Sequence, residues 1–219
     1  KTIPKKKIPA QDLFFDLLKE RAETGRIYIM NLDHCNSHSS FKDKVSMSNL
    51  CQEITLPTTP IQHIDDGEGE IALCILSAVN VGALNDLAEL ENICDLSVRA
   101  LEQIIDYQDY PVKAAEVSTK KRRSLGIGYI GLAHYLAKNG VKYSDPEAWA
   151  LVDRLTEAFQ YHLLRASCDI AMEKGKCDGF ERTKYADGLL PIDHYKKEVD
   201  EIVPHKQRMA WESLRKDIA

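Results

Sequence analysis

A short polar segment at residues 48–54, with the sequence SNLCQEI, carries side chains that could take part in catalysis. Asn49, Cys51 and Glu53 alternate along it, so an extended backbone would project all three to one side. An amide can orient a substrate hydroxyl, a carboxylate can accept its proton, and a thiol can act as a nucleophile or redox group. The polar face of an edge strand would show the same alternation, so the segment alone does not identify a reaction.

A second thiol, Cys74, lies within the nearly continuous apolar run EIALCILSAVNVG at residues 70–82. Such a run is typical of a strand that is buried on both faces, as in a parallel sheet. Burial as a small apolar side chain accounts for a cysteine at this position. A thiol on such a strand could also face an active-site cavity, and the pattern leaves both interpretations open.

Two other patterns point more weakly to chemistry. His34, Cys35 and His38 include metal-ligating types, but no second ligand pair follows at a suitable spacing, so no metal site is predicted. Residues 126–131, GIGYIG, match a dinucleotide-binding fingerprint. A true fingerprint follows an apolar strand, whereas here the basic residues 120–123 precede it. We therefore expect a glycine-rich strand packed closely against a helix, with a nicotinamide-binding domain as an alternative.

The elements that must position these residues alternate between strands and helices. Strands are predicted at residues 26–31, 70–82 and 124–131, and residues 32–48 are predicted to form a loop. Helices are predicted from the 3–4-residue spacing of apolar side chains and from residues that favour helix ends. They are a helix after Pro9 that stops at Gly25, one over 87–105, one that ends at Lys138, one from Asp145 and Pro146 to about 170, and two shorter helices over 191–202 and 206–218. This alternation favours an α/β fold with a mostly parallel sheet.

Composition excludes several classes of protein. The 219 residues can bury a core without a disulfide or metal. The net charge of −5 argues against broad binding to a nucleic-acid backbone, and the basic run at residues 120–123 is expected to be a solvated loop or the end of an element. The apolar stretches are shorter than the roughly 20 residues that a membrane-spanning helix needs. No signal-peptide pattern is visible at the N-terminus.

The six cysteines show no Cys-x-x-Cys pair and no dense framework of short spacings. They are expected to be reduced thiols of a cytoplasmic protein, with Cys94 and Cys168 buried on the apolar faces of helices. The sequence begins with Lys rather than Met, and we expect it to be part of a longer polypeptide.

Four segments together resemble the large catalytic subunit of class I ribonucleoside-diphosphate reductase, close to the enterobacterial and T-even phage type. They are residues 31–38 (NLDHCNSH), 48–54 (SNLCQEI), 72–82 (ALCILSAVNVG) and 122–128 (RRSLGIG). Residues 106–111 (DYQDYP) and 190–193 (LPID) also fit the pattern. The resemblance implies that residues 1–219 are a central portion of a ten-stranded α/β barrel with a central finger loop, and that the N- and C-terminal parts of the protein are absent.

The resemblance also implies roles for individual residues. Cys51 corresponds to the cysteine that forms the thiyl radical at the tip of the finger loop, and Glu53 to the carboxylate that takes the 3′-hydroxyl proton. Asn49 corresponds to the amide that binds the ribose hydroxyls, and Ser48 is expected to contact the substrate with these three. Cys74 corresponds to one member of the redox-active cysteine pair, whose partner would lie outside this chain.

Partners and cofactors follow from the same resemblance. It implies a ribonucleoside diphosphate substrate, a metal-containing small subunit that generates the radical, thioredoxin or glutaredoxin as reductant, and a homodimer of the full-length subunit. No metal or cofactor is expected in this chain, and ATP and deoxynucleotide effectors would bind outside it. This chain alone is expected to be inactive and to expose apolar surface. The rival hypothesis is a catalytically silent or split-subunit piece that completes a barrel with another chain.

Overall fold

A two-stranded parallel sheet forms the centre of the structure. The structure is a computed structural model, and it describes residues 3–202 and 206–219. Strand β1 (Ile75–Asn80) pairs with strand β2 (Leu125–Ile130). The register places Ile75 opposite Leu125 and Asn80 opposite Ile130. The predicted α/β class with parallel strands is confirmed.

Helices account for most of the remaining regular structure. In chain order they are α1 (Ala10–Thr24), α2 (Leu32–His38), α3 (Glu89–Tyr107), α4 (Lys113–Arg122), α5 (Leu132–Lys138), α6 (Pro146–Lys174) and α7 (Trp211–Ile218). Helix α1 ends at Gly25, whose positive φ of 65° suits a glycine at a helix C-terminus. Helix α6 begins at Pro146, where the missing N–H costs no helical hydrogen bond.

The main core lies between one face of the sheet and helices α3 and α6. The α3 side chains at 3–4-residue spacing are buried there, as the pattern over 87–105 predicts, and they include Leu90, Cys94 and Val98. Leu155 and Phe159 of α6 pack into the same core. Leucines and a phenylalanine that are fully buried in this way each contribute about 1.5–3 kcal/mol through the hydrophobic effect. Because both helices cover the same side, this core fixes the direction in which the opposite face of the sheet points.

The opposite face of the sheet is open, which corrects the prediction of a strand buried on both faces. Leu76 is 58% exposed and Ile130 is 57% exposed, and the residues between them on this face are small or polar. The strand is also shorter than the apolar run, because it begins at Ile75 rather than at residue 70. Hydropathy could not distinguish a strand buried on both faces from one buried on a single face, because an apolar sequence is the same whether or not another element covers it.

Two predictions near the N-terminus are wrong. Residues 26–31 form no strand, because no described strand lies beside them to accept their backbone hydrogen bonds, and Tyr28 and Ile29 are exposed. The polar stretch 32–48 is not all loop, since it contains the seven-residue helix α2. That helix buries no side chain and therefore leaves no apolar period in the sequence.

The structure contains one helix that the sequence did not predict, and the predictions for the C-terminal part need correction. Helix α4 was not predicted, and its weakly amphipathic sequence explains why. Residues 191–202 form 3₁₀ turns at Pro191–Asp193 and Lys197–Glu201 rather than a helix. The carboxylate of Asp193 accepts the backbone N–H of Leu190, and such local bonds compete with helix formation. The helix predicted over 206–218 starts only at Trp211. Residues 203–205 lie outside the described part of the chain.

Over the described ranges, no helix combines the length and the apolar character needed to cross a membrane.

Candidate active site

The segment that contains Cys51 folds into a tight turn rather than an extended strand. The backbone N–H of Gln52 donates to the carbonyl oxygen of Asn49 over 3.1 Å. Gln52 has a φ of 64°, which lies in the left-handed region that non-glycine residues seldom adopt. The segment is therefore not the extended strand that the alternation alone would suit, and Cys51 lies exposed at the tip of the turn. A reactive side chain in this position is presented outward by the backbone itself.

Side chains within the turn hold it closed. The Oδ1 atom of Asn49 accepts a hydrogen bond from the backbone N–H of Ile54 over 3.1 Å. The Ser48 hydroxyl lies 2.9 Å from the carbonyl oxygen of Ile54 and 3.2 Å from Oδ1 of Asn49, so it can donate to either. Within residues 3–202 and 206–219, the Nδ2 group of Asn49 makes no hydrogen bond. The structure thus uses the oxygen of this amide internally and leaves its N–H groups available to a ligand.

Glu53 follows directly after the strained residue and its side chain is exposed. No hydrogen bond or ion pair involves its carboxylate in the part of the chain that the structure describes. Four of the predicted site residues, Ser48, Asn49, Cys51 and Glu53, are thus brought together in one turn. Two of them stabilise its shape and two present reactive groups outside it.

Cys74 lies immediately before strand β1 and is half-buried. Side chains alternate along a strand, so Cys74 shares the open face of the sheet with Leu76 and Ala78. Burial raises the pKa of the Cys74 thiol above its usual value, so the group is protonated at neutral pH. No hydrogen bond among the described residues connects it to the turn that carries Cys51. The two cysteines are therefore positioned by separate elements.

The family of the protein follows from comparison with known sequences. A family model described as the ribonucleotide reductase barrel domain matches residues 1–219. The chain belongs to this family. It is 54% identical over 221 residues to the ribonucleoside-diphosphate reductase subunit alpha of Buchnera aphidicola subsp. Schizaphis graminum, covering 100% of this chain and 29% of that protein. The predicted resemblance to class I ribonucleotide reductase alpha subunits is confirmed.

Two other relatives are less similar to this chain. The ribonucleoside-diphosphate reductase 1 subunit alpha of Escherichia coli strain K12 is 51% identical over 220 residues, with 99% of this chain and 29% of that protein covered. The subunit alpha of Enterobacteria phage T4 is 40% identical over 221 residues, with 99% and 28% covered. The chain thus spans less than a third of the length of these curated relatives.

A buried ionic cluster anchors both sides of the turn of this ribonucleotide reductase barrel chain. Arg122 at the end of α4 donates from Nη2 to Glu70 over 2.9 Å and to Asp43 over 3.1 Å. Asp43 precedes the turn in the chain. Thr59 follows the turn, and its hydroxyl donates to the Glu70 carboxylate over 2.9 Å. The side chains of Arg122 and Glu70 are only 4% and 2% exposed, so this contact is shielded from solvent.

Charge balance within this cluster depends on Glu70. Burial acts to raise its pKa, but hydrogen bonds from Arg122, Lys121 and Thr59 outweigh burial and lower the pKa to about 2. Glu70 is therefore ionised at any physiological pH. The cluster was missed by sequence reasoning. The expectation that the basic run 120–123 is the end of an element is confirmed, because Lys120, Lys121 and Arg122 form the last turn of α4, whereas a solvated position is wrong for Arg122. Because no helix was predicted over residues 113–122, the sequence did not indicate which of the four basic side chains at residues 120–123 points into the protein.

The glycine pattern at residues 126–131 does not form a dinucleotide site. Gly126 and Gly128 lie inside strand β2 instead of in a loop after it, and only Gly131 lies at the start of a helix, α5. A side chain at Gly131 would collide with Oδ1 of Asn80, so the space above this glycine is already filled. The interpretation as a glycine-rich strand is confirmed, but the strand packs on the helices through Leu125 and Ile127, on the face opposite Gly126 and Gly128. The alternative of a nicotinamide-binding domain is wrong.

The remaining candidate thiols and histidines are buried in the core or contact neighbouring backbone, and among the described residues they form no candidate site. Cys94 and Cys168 are buried as predicted, and burial raises the pKa of Cys94 to about 12. The Nδ1 atom of His38 lies 3.1 Å from the carbonyl oxygen of His34 in helix α2. Across the described ranges, no group of three or more His, Cys, Asp or Glu side chains is arranged to hold a metal ion.

Proposed function

We propose that this chain is the central part of the catalytic barrel of a class I ribonucleotide reductase large subunit. The complete polypeptide would convert ribonucleoside diphosphates to deoxyribonucleoside diphosphates by thiyl-radical chemistry. The match of all 219 residues to the barrel-domain family carries this proposal. The turn that presents Cys51 supports it, because a radical-forming thiol must project from its backbone toward a substrate.

In this proposal each side chain of the turn has a separate role. The Cys51 thiyl radical takes the hydrogen atom from the 3′ carbon of the ribose, and the Glu53 carboxylate takes the 3′-hydroxyl proton. The uncommitted N–H groups of Asn49 donate to ribose hydroxyls, and Ser48 completes the substrate contacts. The internal bonds to Oδ1 of Asn49 fix the direction of its N–H groups. Because these donors are already oriented, less entropy is lost when they bind the substrate.

Cys74 supplies one of two thiols that reduce the substrate. The ribose loses its 2′-hydroxyl as water and gains a hydrogen, while two thiols lose two hydrogen atoms and become one disulfide. The second thiol lies outside these 219 residues. Because Cys74 is on the open face of the sheet, a partner cysteine and later an external reductant can approach it. The raised pKa of Cys74 suits a thiol that delivers hydrogen rather than a permanent thiolate.

The partners proposed for the complete protein follow from the family. They are a ribonucleoside diphosphate, a metal-containing small subunit that supplies the radical, thioredoxin or glutaredoxin, and a second copy of the full-length subunit. Nucleotide effectors would bind outside this chain, and the protein would act in the cytoplasm. The alternative is a silent or split-subunit piece that completes a barrel with another chain, and the outer edges of β1 and β2, which pair with no other described strand, favour such completion. The mass of the native polypeptide separates the two proposals.

The test is an activity assay with the full-length subunit that contains this chain. Purified subunit is mixed with radical-loaded small subunit, a ribonucleoside diphosphate and a thioredoxin system, and deoxyribonucleoside diphosphate is measured by chromatography. Product is expected only in the complete mixture, and omission of the small subunit is the control. Absence of product from the complete mixture, with the radical intact, would reject the proposal.

Replacing Cys74 tests the second thiol. In the full-length subunit, Cys74→Ser is expected to lower steady-state turnover at least about 100-fold, since a hydroxyl cannot form the disulfide. Substrate affinity should stay within about twofold of wild type, because the substitution removes reducing power and no binding contact. Turnover and equilibrium binding of the diphosphate are measured on the same preparation, with Cys35→Ser as the matched control. Turnover by Cys74→Ser near the wild-type rate would remove Cys74 from the reaction.

A further inference from the structure

Gly126 is an unexpected residue at its position in strand β2. It lies in the interior of the strand, paired with Leu76 of β1, and its φ is not in the left-handed region. A glycine inside a strand is destabilising relative to alanine, because its backbone loses more conformational freedom on folding. Backbone conformation therefore does not explain why a glycine is present, and a close approach by another group is the usual alternative.

Two side chains approach Gly126 closely, those of Leu76 and Cys74. A Cβ atom at Gly126 would lie 2.9 Å from Sγ of Cys74 and 2.5 Å from Cδ2 of Leu76. Ordinary van der Waals contact begins at 3.4 Å. Gly128, two residues along the same face of the same strand, would have no heavy atom within 4 Å of its Cβ. The restriction is therefore present at Gly126, which faces Leu76 and Cys74, and absent at Gly128, which is paired with Ala78.

We propose that Gly126 is a positioning residue that keeps open the space in which the Cys74 thiol lies. This inference rests on the proposed function of Cys74 as a redox-active thiol. Leu76 is 58% exposed, and the atom that would contact an added methyl group is at the end of its flexible side chain. The Leu76 side chain can therefore rotate away. The sulfur of Cys74 must then also move, by at least about half an ångström, to restore normal contact.

A displacement of this size affects reactivity more than folding. A disulfide forms only within narrow limits of Cβ–Cβ distance and dihedral angle. Misplacing a reacting group by about 1 Å can lower a rate roughly 100-fold. Because Gly126 is not expected to touch the substrate, Gly126→Ala should lower kcat roughly 10- to 100-fold and leave KM within about twofold.

The experiment compares alanine variants of the full-length subunit. Gly126→Ala and Gly128→Ala add the same methyl group to the same face of β2. Leu76→Ala and the double variant Gly126→Ala/Leu76→Ala separate the contact with Leu76 from the contact with the thiol. For each variant, kcat and KM are measured, and the rate of alkylation of reduced Cys74 by iodoacetamide is followed by peptide mass spectrometry.

The expected result is a fall in kcat for Gly126→Ala that persists in the double variant, with Gly128→Ala and Leu76→Ala within about twofold of wild type. Alkylation of Cys74 should slow at least about threefold in Gly126→Ala, since the new methyl group shields the sulfur. Equal losses in the two glycine variants, recovery in the double variant, or unchanged alkylation of Cys74 would each overturn the inference.

Failure of the proposed function would look different. Cys74→Ser in the same assays reports whether turnover needs the thiol. If Cys74→Ser is fully active, the redox role of Cys74 fails, and the alkylation rates of the glycine variants still decide whether Gly126 positions the thiol. If Cys74→Ser is inactive and Gly126→Ala matches wild type in both readouts, the inference alone fails.

Discussion

Cys51→Ser in the full-length subunit is expected to lower the production of deoxyribonucleotide at least about 1,000-fold, as for loss of a residue on which the reaction depends. Serine preserves the size of the side chain and the turn around it. Its O–H bond is stronger than the S–H bond of cysteine, so the same radical donor cannot convert it into the hydrogen-abstracting species. Product formation is measured under saturating substrate with the small subunit and a thioredoxin system.

The structure supplies a matched control for this substitution. Cys177 is a free cysteine outside the turn and strand β1, so Cys177→Ser should keep turnover within about twofold of wild type. Circular dichroism and binding of the small subunit should be the same for both variants, since Cys51 is exposed and packs no core. Residual activity of Cys51→Ser above a tenth of wild type would exclude the thiyl role.

The parts of the fold that were predictable are those encoded by local periodicity. Helices α3 and α6 bury apolar side chains every three to four residues, and α1 is bounded by Pro9 and Gly25, so each leaves a clear pattern. Residues 26–31 have strand-like composition but form no strand, because strand formation depends on a partner elsewhere. The open face of β1 was unpredictable for the same reason, since burial of a strand face is decided by neighbours that the strand's own sequence does not specify.

The candidate site divides in the same way. The residue types in SNLCQEI pointed to Asn49, Cys51 and Glu53 directly, and their roles stay predictions. Their alternation suggested an extended segment, whereas the turn arises from a left-handed Gln52, a conformation that the identity of this residue does not signal. The anchoring cluster was also invisible, because Arg122 reaches Glu70 across 52 positions and Asp43 across 79.

Removing the cation of this cluster should have the largest effect on stability. Arg122→Met in the 219-residue chain is expected to lower the free energy of unfolding at pH 7 by about 3 kcal/mol, the low end of the range for a broken buried ion pair. The loss arises because Glu70 stays buried and ionised, while Lys121 and Thr59 still bind it and limit the cost. Urea denaturation followed by circular dichroism measures it. Lys42→Met breaks an exposed pair with Asp187 and should cost at most about 1 kcal/mol.

The pH dependence of this loss separates an ionic cause from simple loss of packing. The pKa of Glu70 is lowered from 4.5 to about 2 in the folded chain, so its ionised contacts add full stability above about pH 4.5 and lose it as the pH falls toward 2. Wild type should therefore lose its advantage over Arg122→Met across this window, since protonation removes the uncompensated charge in the variant as well. A difference that stays constant between pH 7 and pH 3 would mean that Arg122 stabilises the anchor by packing alone, and that the charge of Glu70 does not hold the ends of the Cys51 turn.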